Sequence, residues 1–246
     1  MTNKLLLAFL LFPAFQLHAQ TDSAHTFKTD WTKIDLSNRA NDHFMVQYGF
    51  DGWGNTPDSI TTSGFSRHFN FYFMYDYPFK TNPRYSIGIG AGLGSSNMFF
   101  QNTNIDLKST STLLPFTNVA KQNHFDKYKL TTLFLEAPIE LRFAQNPVIP
   151  DKGFKAAIGL KIGTLLKSYT KGKNLVDSSS KTIYGRNYIA KEVNKRFLNT
   201  TRLAVTGRIG YGNISLDGSY QLTGILKQGA GPAMNAWSVG LTLSGL

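Results

Sequence analysis

"YSIGIGAGLG", Tyr85–Gly94, sets glycine at every second position: Gly88, Gly90, Gly92 and Gly94. Such a run is either a phosphate-binding loop or a strand with one nearly bare face. A dinucleotide fingerprint needs G-x-G-x-x-G. Its third glycine would fall at Leu93 counting from Gly88, or at Ser95 counting from Gly90. No G-x-x-x-x-G-K-[ST] occurs either. What remains is a period of two, with Tyr85, Ile87, Ile89, Ala91 and Leu93 on one face and Ser86 and the glycines on the other. The stretch reads as a strand. The open question is what fills the space beside its bare face.

The same alternation recurs along the chain. "FMVQYGFD" from Phe44, "HFNFYFMYDY" from His68 and "KLTTLFLEAPIELRF" from Lys129 each put apolar or aromatic side chains on one face. So do "FKAAIGLKIGTLL" from Phe154, "RLAVTGRIGY" from Arg202, "ISLDGSYQL" from Ile214 and "AWSVGLTLSGL" from Ala236. With the glycine strand these make eight segments, each long enough to cross an apolar core when tilted. Connections alternate in length. Short links at 80–83, 145–152 and Gly212-Asn213 alternate with longer ones at 52–64, 95–126, 168–199 and 227–235. A soluble sandwich would carry its charges on the exposed face. Here the charges share a face with glycine and serine. The pattern predicts an all-β, eight-stranded antiparallel transmembrane β-barrel with short periplasmic turns and long extracellular loops.

Composition and ends agree. The chain of 246 residues has no cysteine, 19 Phe, 11 Tyr and 22 Gly, with net charge +11. Lys4 followed by the apolar Leu5–Phe15 and Ala19-Gln20 reads as a secretory signal, residues 1–19. Residues 20–43 are expected to form a periplasmic arm and 44–246 the barrel, both termini being periplasmic. No segment approaches the ~20 apolar residues of a membrane-spanning helix. The positive charge does not indicate nucleic acid, because no recognition module accompanies it.

Eight strands enclose an interior just wide enough for side chains. Tyr72, Met74, Phe134, Glu136, Glu140 and Arg142 should point inward beside the glycine strand, which leaves them room. Glu136, Glu140, Arg142, Lys161, Arg208 and Asp217 share the inward face and are expected to form a lumenal ion-pair network. Catalytic residues are not expected, since no serine or histidine on these strands completes a nucleophilic set; His68 near Ser66 is a weak signal. No cofactor or metal site is evident. Gly212-Asn213 as a two-residue turn sets Tyr211 opposite Ile214 and Arg208 opposite Asp217, which should pair by charge. A basic loop, 167–196, carries Lys171, Lys173, Lys181, Arg186, Lys191, Lys195 and Arg196, which could contact phosphates of lipopolysaccharide. Asn213-Ile214-Ser215 matches a glycosylation sequon by chance.

The "AQ" of the signal, "GIGAGLG" (88–94) and above all "FLEAPIELRF" (134–143) together resemble the Bacteroidetes outer-membrane β-barrel proteins grouped with the PorT family. The resemblance spans roughly Phe44 to Leu246. It implies an eight-stranded barrel of OmpA or OmpX size; with the inward side chains filling the lumen and leaving no open pore, the leading expectation is a non-enzymatic structural or accessory role. It also suggests a link to type IX secretion and to other envelope proteins. Many barrels end in an aromatic residue, whereas this chain ends in Leu246. The other functions weighed are a surface-binding, adhesin-like barrel and a lipid A-modifying enzyme.

Overall fold

The computed structural model describes residues 30–245, apart from 38, 59 and 64. The expected signal, 1–19, and residues 20–29 of the expected arm lie outside the described residues, as does Leu246. After a 3₁₀ turn, Trp31–Lys33, come β1 (Asp42–Gly54), β2 (Arg67–Pro78) and β3 (Tyr85–Phe100). Two short strands, β4 (Thr103–Ile105) and β5 (Phe116–Asn118), precede β6 (His124–Ala144), β7 (Phe154–Val176) and β8 (Ile189–Val193). β9 (Thr201–Tyr211), β10 (Ile214–Gln221) and β11 (Asn235–Ser244) complete the order.

Eight of these form a ring. β1 pairs with β2, β2 with β3, β3 with β6, and β6 with β7. β7 pairs with β9, β9 with β10, β10 with β11, and β11 returns to β1. Every pairing is antiparallel, and closure leaves no open edge in the ring. β8 extends the upper part of β7, and β4 and β5 pair with each other.

The faces follow the alternation. On β2, Phe69, Phe71, Phe73, Tyr75 and Tyr77 are exposed, while His68, Asn70, Tyr72, Met74 and Asp76 are buried. On β3 the ring contacts explain the glycines. A Cβ on Gly88 would fall on the Arg142 guanidinium, on Gly90 on the Met74 sulfur, on Gly92 on the Phe71 carbonyl, and on Gly94 on the Glu136 carboxylate. Gly88, Gly90 and Gly94 vacate the space that an inward side chain from β2 or β6 occupies, and Gly92 avoids the β2 backbone beside Tyr72. The bare face adjoins the largest lumenal side chains.

Three strands run past the lengths their sequence suggests. β3 continues to Phe100, β6 starts at His124 and β7 reaches Val176. In the band that presents Leu133 to Phe143 outward on β6, apolar side chains face out and polar ones face in. Above it the polarity inverts. Met98, Phe100, Tyr128 and Leu130 turn inward and join Ile105, Leu107, Leu114, Phe197, Leu198, Ile225 and Met234 in an apolar cluster under the long loops. A bulge between Leu133 and Phe134, opposite Leu166, shifts the face of β7, so that Ser168 and Thr170 become the buried residues. The inversion is what a lipid boundary requires: lipid solvates an apolar exterior, whereas water favours an apolar interior. The expected loops 95–126 and 168–199 are therefore partly strand.

Aromatic side chains mark both borders of the band. Tyr77, Phe79, Tyr85, Phe154 and Tyr211 are exposed near the short turns, with Phe143 between Tyr85 and Phe154 at 5.4 and 6.3 Å. Tyr48, Phe50, Phe69, Tyr220 and Trp237 are exposed toward the long loops. Such girdles belong at the two interfaces of a bilayer.

Candidate functional site: charged lumen and basic outer row

The lumen holds three carboxylates, Glu136, Glu140 and Asp76, that each serve two cations. Glu136, 1% exposed, lies 2.9 Å from Arg202 and 3.4 Å from Lys161, and accepts a hydrogen bond from the Tyr72 hydroxyl at 2.5 Å. Glu140 accepts from Arg142 Nε and from Arg208 Nη2, both at 2.8 Å. Arg142 also reaches Asp76 at 3.5 Å. Five of the six expected residues thus fall into two separate groups of ion pairs, one around Glu136 and one around Glu140. Arg202 belongs to the first and Asp76 to the second; both sit at inward positions of the alternation, which was the signal for them.

Asp217 departs from the expectation. The Gly212-Asn213 turn forms as expected, with Gly212 at φ 61°, and Arg208 stands opposite Asp217 in the ladder. No ion pair joins them among the described residues. Arg208 instead crosses the lumen to Glu140, and Asp217 accepts from Thr242 Oγ1 at 2.8 Å. The reason is reach: a guanidinium on a long stem can leave its cross-strand neighbour for a buried carboxylate that already gathers cations.

The expected arm contributes a lumenal residue. Arg39, 6% exposed, donates to the carbonyls of Pro83 at 3.0 Å and Pro147 at 2.7 Å, and to Asp76. It fastens the segment before β1 to two short turns. Sequence reading missed it because Arg39 precedes any alternation.

His68 has no catalytic partner. Its Nδ1 lies 2.8 Å from Asp51, whose other oxygen accepts from Ser96. The carboxylate thus sits between histidine and serine. A nucleophile needs the base beside its hydroxyl, and His68 Nε2 has no partner among the described residues. Ser66 instead bonds Phe99 N at 2.9 Å. No group of His, Cys, Asp or Glu able to hold a metal is found among the described residues.

The expected basic loop is two paired strands joined at a tip, which spreads its cations. Lys171 and Lys173 lie on β7 and Lys191 on β8, with Lys181 and Arg186 between the strands. Lys195 and Arg196 follow β8; Arg196 turns to the Ser109 carbonyl at 3.0 Å and Lys195 reaches the Leu165 carbonyl at 3.5 Å. The reason for the pairing is that "SYTKGK" continues β7 after the bulge, and its face opposite the lysines is buried.

Register assembles a row that the sequence did not reveal. Lys129 stands opposite Lys171, and Lys171 opposite Lys191, while Lys127 stands opposite Lys173. All five face outward, just above the band that ends at Leu133. None has a carboxylate within ion-pair distance among the described residues. Lys129 donates to Asn97 Oδ1 at 2.7 Å and lies 5.6 Å from the Phe99 ring, which Arg67 also approaches at 5.6 Å. Partial burial, then the charges of Lys171 and Arg67, hold the Lys129 amine below its usual pKa, with Tyr169 opposing. Like charges directly opposite destabilise a ladder. A row of them calls for anions.

The family model described as outer membrane protein beta-barrel domain matches residues 33–226. No curated protein sequence matches the chain. Among solved structures, the crystal structure of Ail, the attachment invasion locus protein of Yersinia pestis, is similar at 12% identity. That alignment covers 83% of this chain and 97% of Ail, with a TM-score of 0.35. The structure of Ail in complex with the heparin analogue sucrose octasulfate aligns at 13% identity over 83% and 97%, TM-score 0.32. The Ail backbone structure in a phospholipid bilayer nanodisc aligns at 14% identity over 84% and 100%, TM-score 0.32.

Proposed function

The chain belongs to the outer membrane protein β-barrel domain family, and from that premise we propose that it is a non-enzymatic barrel of a Gram-negative outer membrane that docks on lipopolysaccharide phosphates. Its short turns and both termini face the periplasm in this reading, after removal of a signal peptide, and its long loops face outward. The observation that carries the proposal is the row Lys127, Lys129, Lys171, Lys173 and Lys191, five cations without a carboxylate partner among the described residues, directly above the lipid band. In the outer leaflet that height is the level of phosphorylated headgroups, where each cation near an anionic surface contributes about 1 kcal/mol.

The lumen supports a scaffold rather than a pore or an enzyme. Ion pairs line its turn half, the apolar cluster closes its loop half, and His68 lacks an adjacent nucleophile among the described residues. The resemblance of "FLEAPIELRF" to PorT-like proteins supports an accessory role, linked to type IX secretion, in which the anchored barrel presents its loops or periplasmic ends to envelope partners.

The test is lipid retention. Full-length protein is extracted from vesicles containing either intact or dephosphorylated lipopolysaccharide, and the bound lipid is counted by native mass spectrometry. Intact lipid should be retained, and retention should fall about tenfold in Lys129→Gln/Lys171→Gln/Lys191→Gln, a difference of about 1.4 kcal/mol. Equal retention of the two lipids, or no change in the triple variant, would overturn the reading.

A further inference from the structure

At the turn end of the lumen lies a cavity of about 190 Å³, lined among others by Arg39, Asp76, Arg142, Asp151, Lys155 and Arg208. We infer that this cavity is a binding site for a small tetrahedral oxyanion of the inorganic phosphate class.

Three observations converge on it. The first is orphaned donors. Arg39 Nε, Arg142 Nη2 and Arg208 Nε are buried and have no hydrogen-bond partner among the described residues, and all three residues line the same cavity. Their side chains are only 1%, 10% and 8% exposed. A buried guanidinium N–H without an acceptor is costly, so three around one space mark a place that an acceptor completes.

The second is charge. Four cations, Arg39, Arg142, Lys155 and Arg208, share three carboxylates, Asp76, Glu140 and Asp151. Arg39 and Arg142 both use Asp76, and Arg142 and Arg208 both use Glu140. Lys155 holds Asp151 and the Ser244 hydroxyl, each at 2.9 Å. Among the described residues one positive charge remains uncompensated in a place of low dielectric, where an anion is attracted far more strongly than in water.

The third is shape and access. The volume is several times what a single water requires. Guanidinium forks match the oxygens of a tetrahedral anion better than they match a spherical ion. The strand ring separates the cavity from lipid, so the occupant comes from solution at the turn end rather than from a headgroup. Arg39, held by the Pro83 and Pro147 carbonyls, belongs to the segment before β1. Occupancy would therefore couple that segment to the barrel floor: the anion completes the donors that Arg39 brings, and the segment seats more firmly when the anion is present.

The experiment uses the full chain refolded in detergent, titrated with inorganic phosphate against sodium chloride at matched ionic strength. Phosphate should bind saturably by isothermal titration and raise the temperature at which the folded band is lost on gels. Arg39→Gln, outside the strand ring, and Lys155→Gln should each weaken phosphate at least tenfold. The outer pair Lys121→Gln/Lys227→Gln, in the long loops at the other end of the barrel, should leave it unchanged. No saturable phosphate binding overturns the inference. So does binding that survives both Arg39→Gln and Lys155→Gln, or binding lost only with the outer lysines.

Discussion

Arg208 stands directly opposite Asp217 on neighbouring strands, yet its guanidinium bonds Glu140 across the lumen at 2.8 Å. Register and partnership are separate properties. The turn fixes which residues are neighbours, while the distribution of buried charge decides which of them pair. Glu140 draws two arginines because its burial leaves a carboxylate that only opposing charge can stabilise.

Glu140→Gln should therefore be more damaging than Asp217→Asn. The first leaves Arg142 and Arg208 buried around a neutral amide, a loss of about 3–5 kcal/mol. The second weakens one hydrogen bond from Thr242, about 1 kcal/mol. Urea unfolding in detergent, followed by tryptophan fluorescence, ranks the two. The reverse order would mean that the Arg208–Asp217 pair forms in solution.

The strand band was legible because lipid and lumen impose opposite demands on alternate residues. Phe69, Phe71 and Phe73 against Asn70, Tyr72 and Met74 admit one assignment of faces. The upper extensions were not legible for a related reason. Above the lipid the demand reverses, so Asn97, Met98 and Phe100 break the pattern just where the strand continues. An inverted alternation looks like its end. The row of Lys129, Lys171 and Lys191 was hidden too, since it depends on register between three segments and on a bulge at Leu166. Arg39 had no periodic context at all. The lumenal carboxylates, by contrast, followed from "LEAPIELR" alone.

Glycine position should decide tolerance. Gly92→Leu drives a side chain onto the Phe71 carbonyl and the Tyr72 backbone, and overpacking of this kind costs about 1–3 kcal/mol. Gly207 faces lipid beside Gly218, and a Cβ there meets nothing within 4 Å. Gly207→Leu should fold as well as the parent. Refolding yields in detergent, run in parallel, check both. Equal yields would mean the lumen beside β3 has room to spare.

The outward face should reject charge. Ile89→Arg places a guanidinium among Tyr75 and Ile139, its neighbours on β2 and β6, at a loss of about 2–4 kcal/mol if the site lies near the bilayer midplane. The parent barrel should run at different apparent masses boiled and unboiled, and the variant should lose most of its unboiled folded band. Identical migration of the parent in both conditions would count against a detergent-resistant barrel.

The lysine row yields a prediction whose sign depends on the membrane. In zwitterionic detergent, Lys129, Lys171 and Lys191 repel one another across β6, β7 and β8. Replacing Lys171 by Gln removes the central charge and should stabilise the barrel by about 0.2–1 kcal/mol. The gain should shrink with added salt, because Lys191 is exposed and Lys129 and Lys171 are only partly buried, so that ions can screen them. In bilayers carrying lipopolysaccharide the same charge meets phosphate, and its removal should destabilise. Thermal unfolding of Lys171→Gln and parent, measured in both environments, shows whether the difference changes sign. If Lys171→Gln stabilises equally in both, the row meets no anion there. If it destabilises in detergent as well, the lysines serve the fold through their stems rather than through charge.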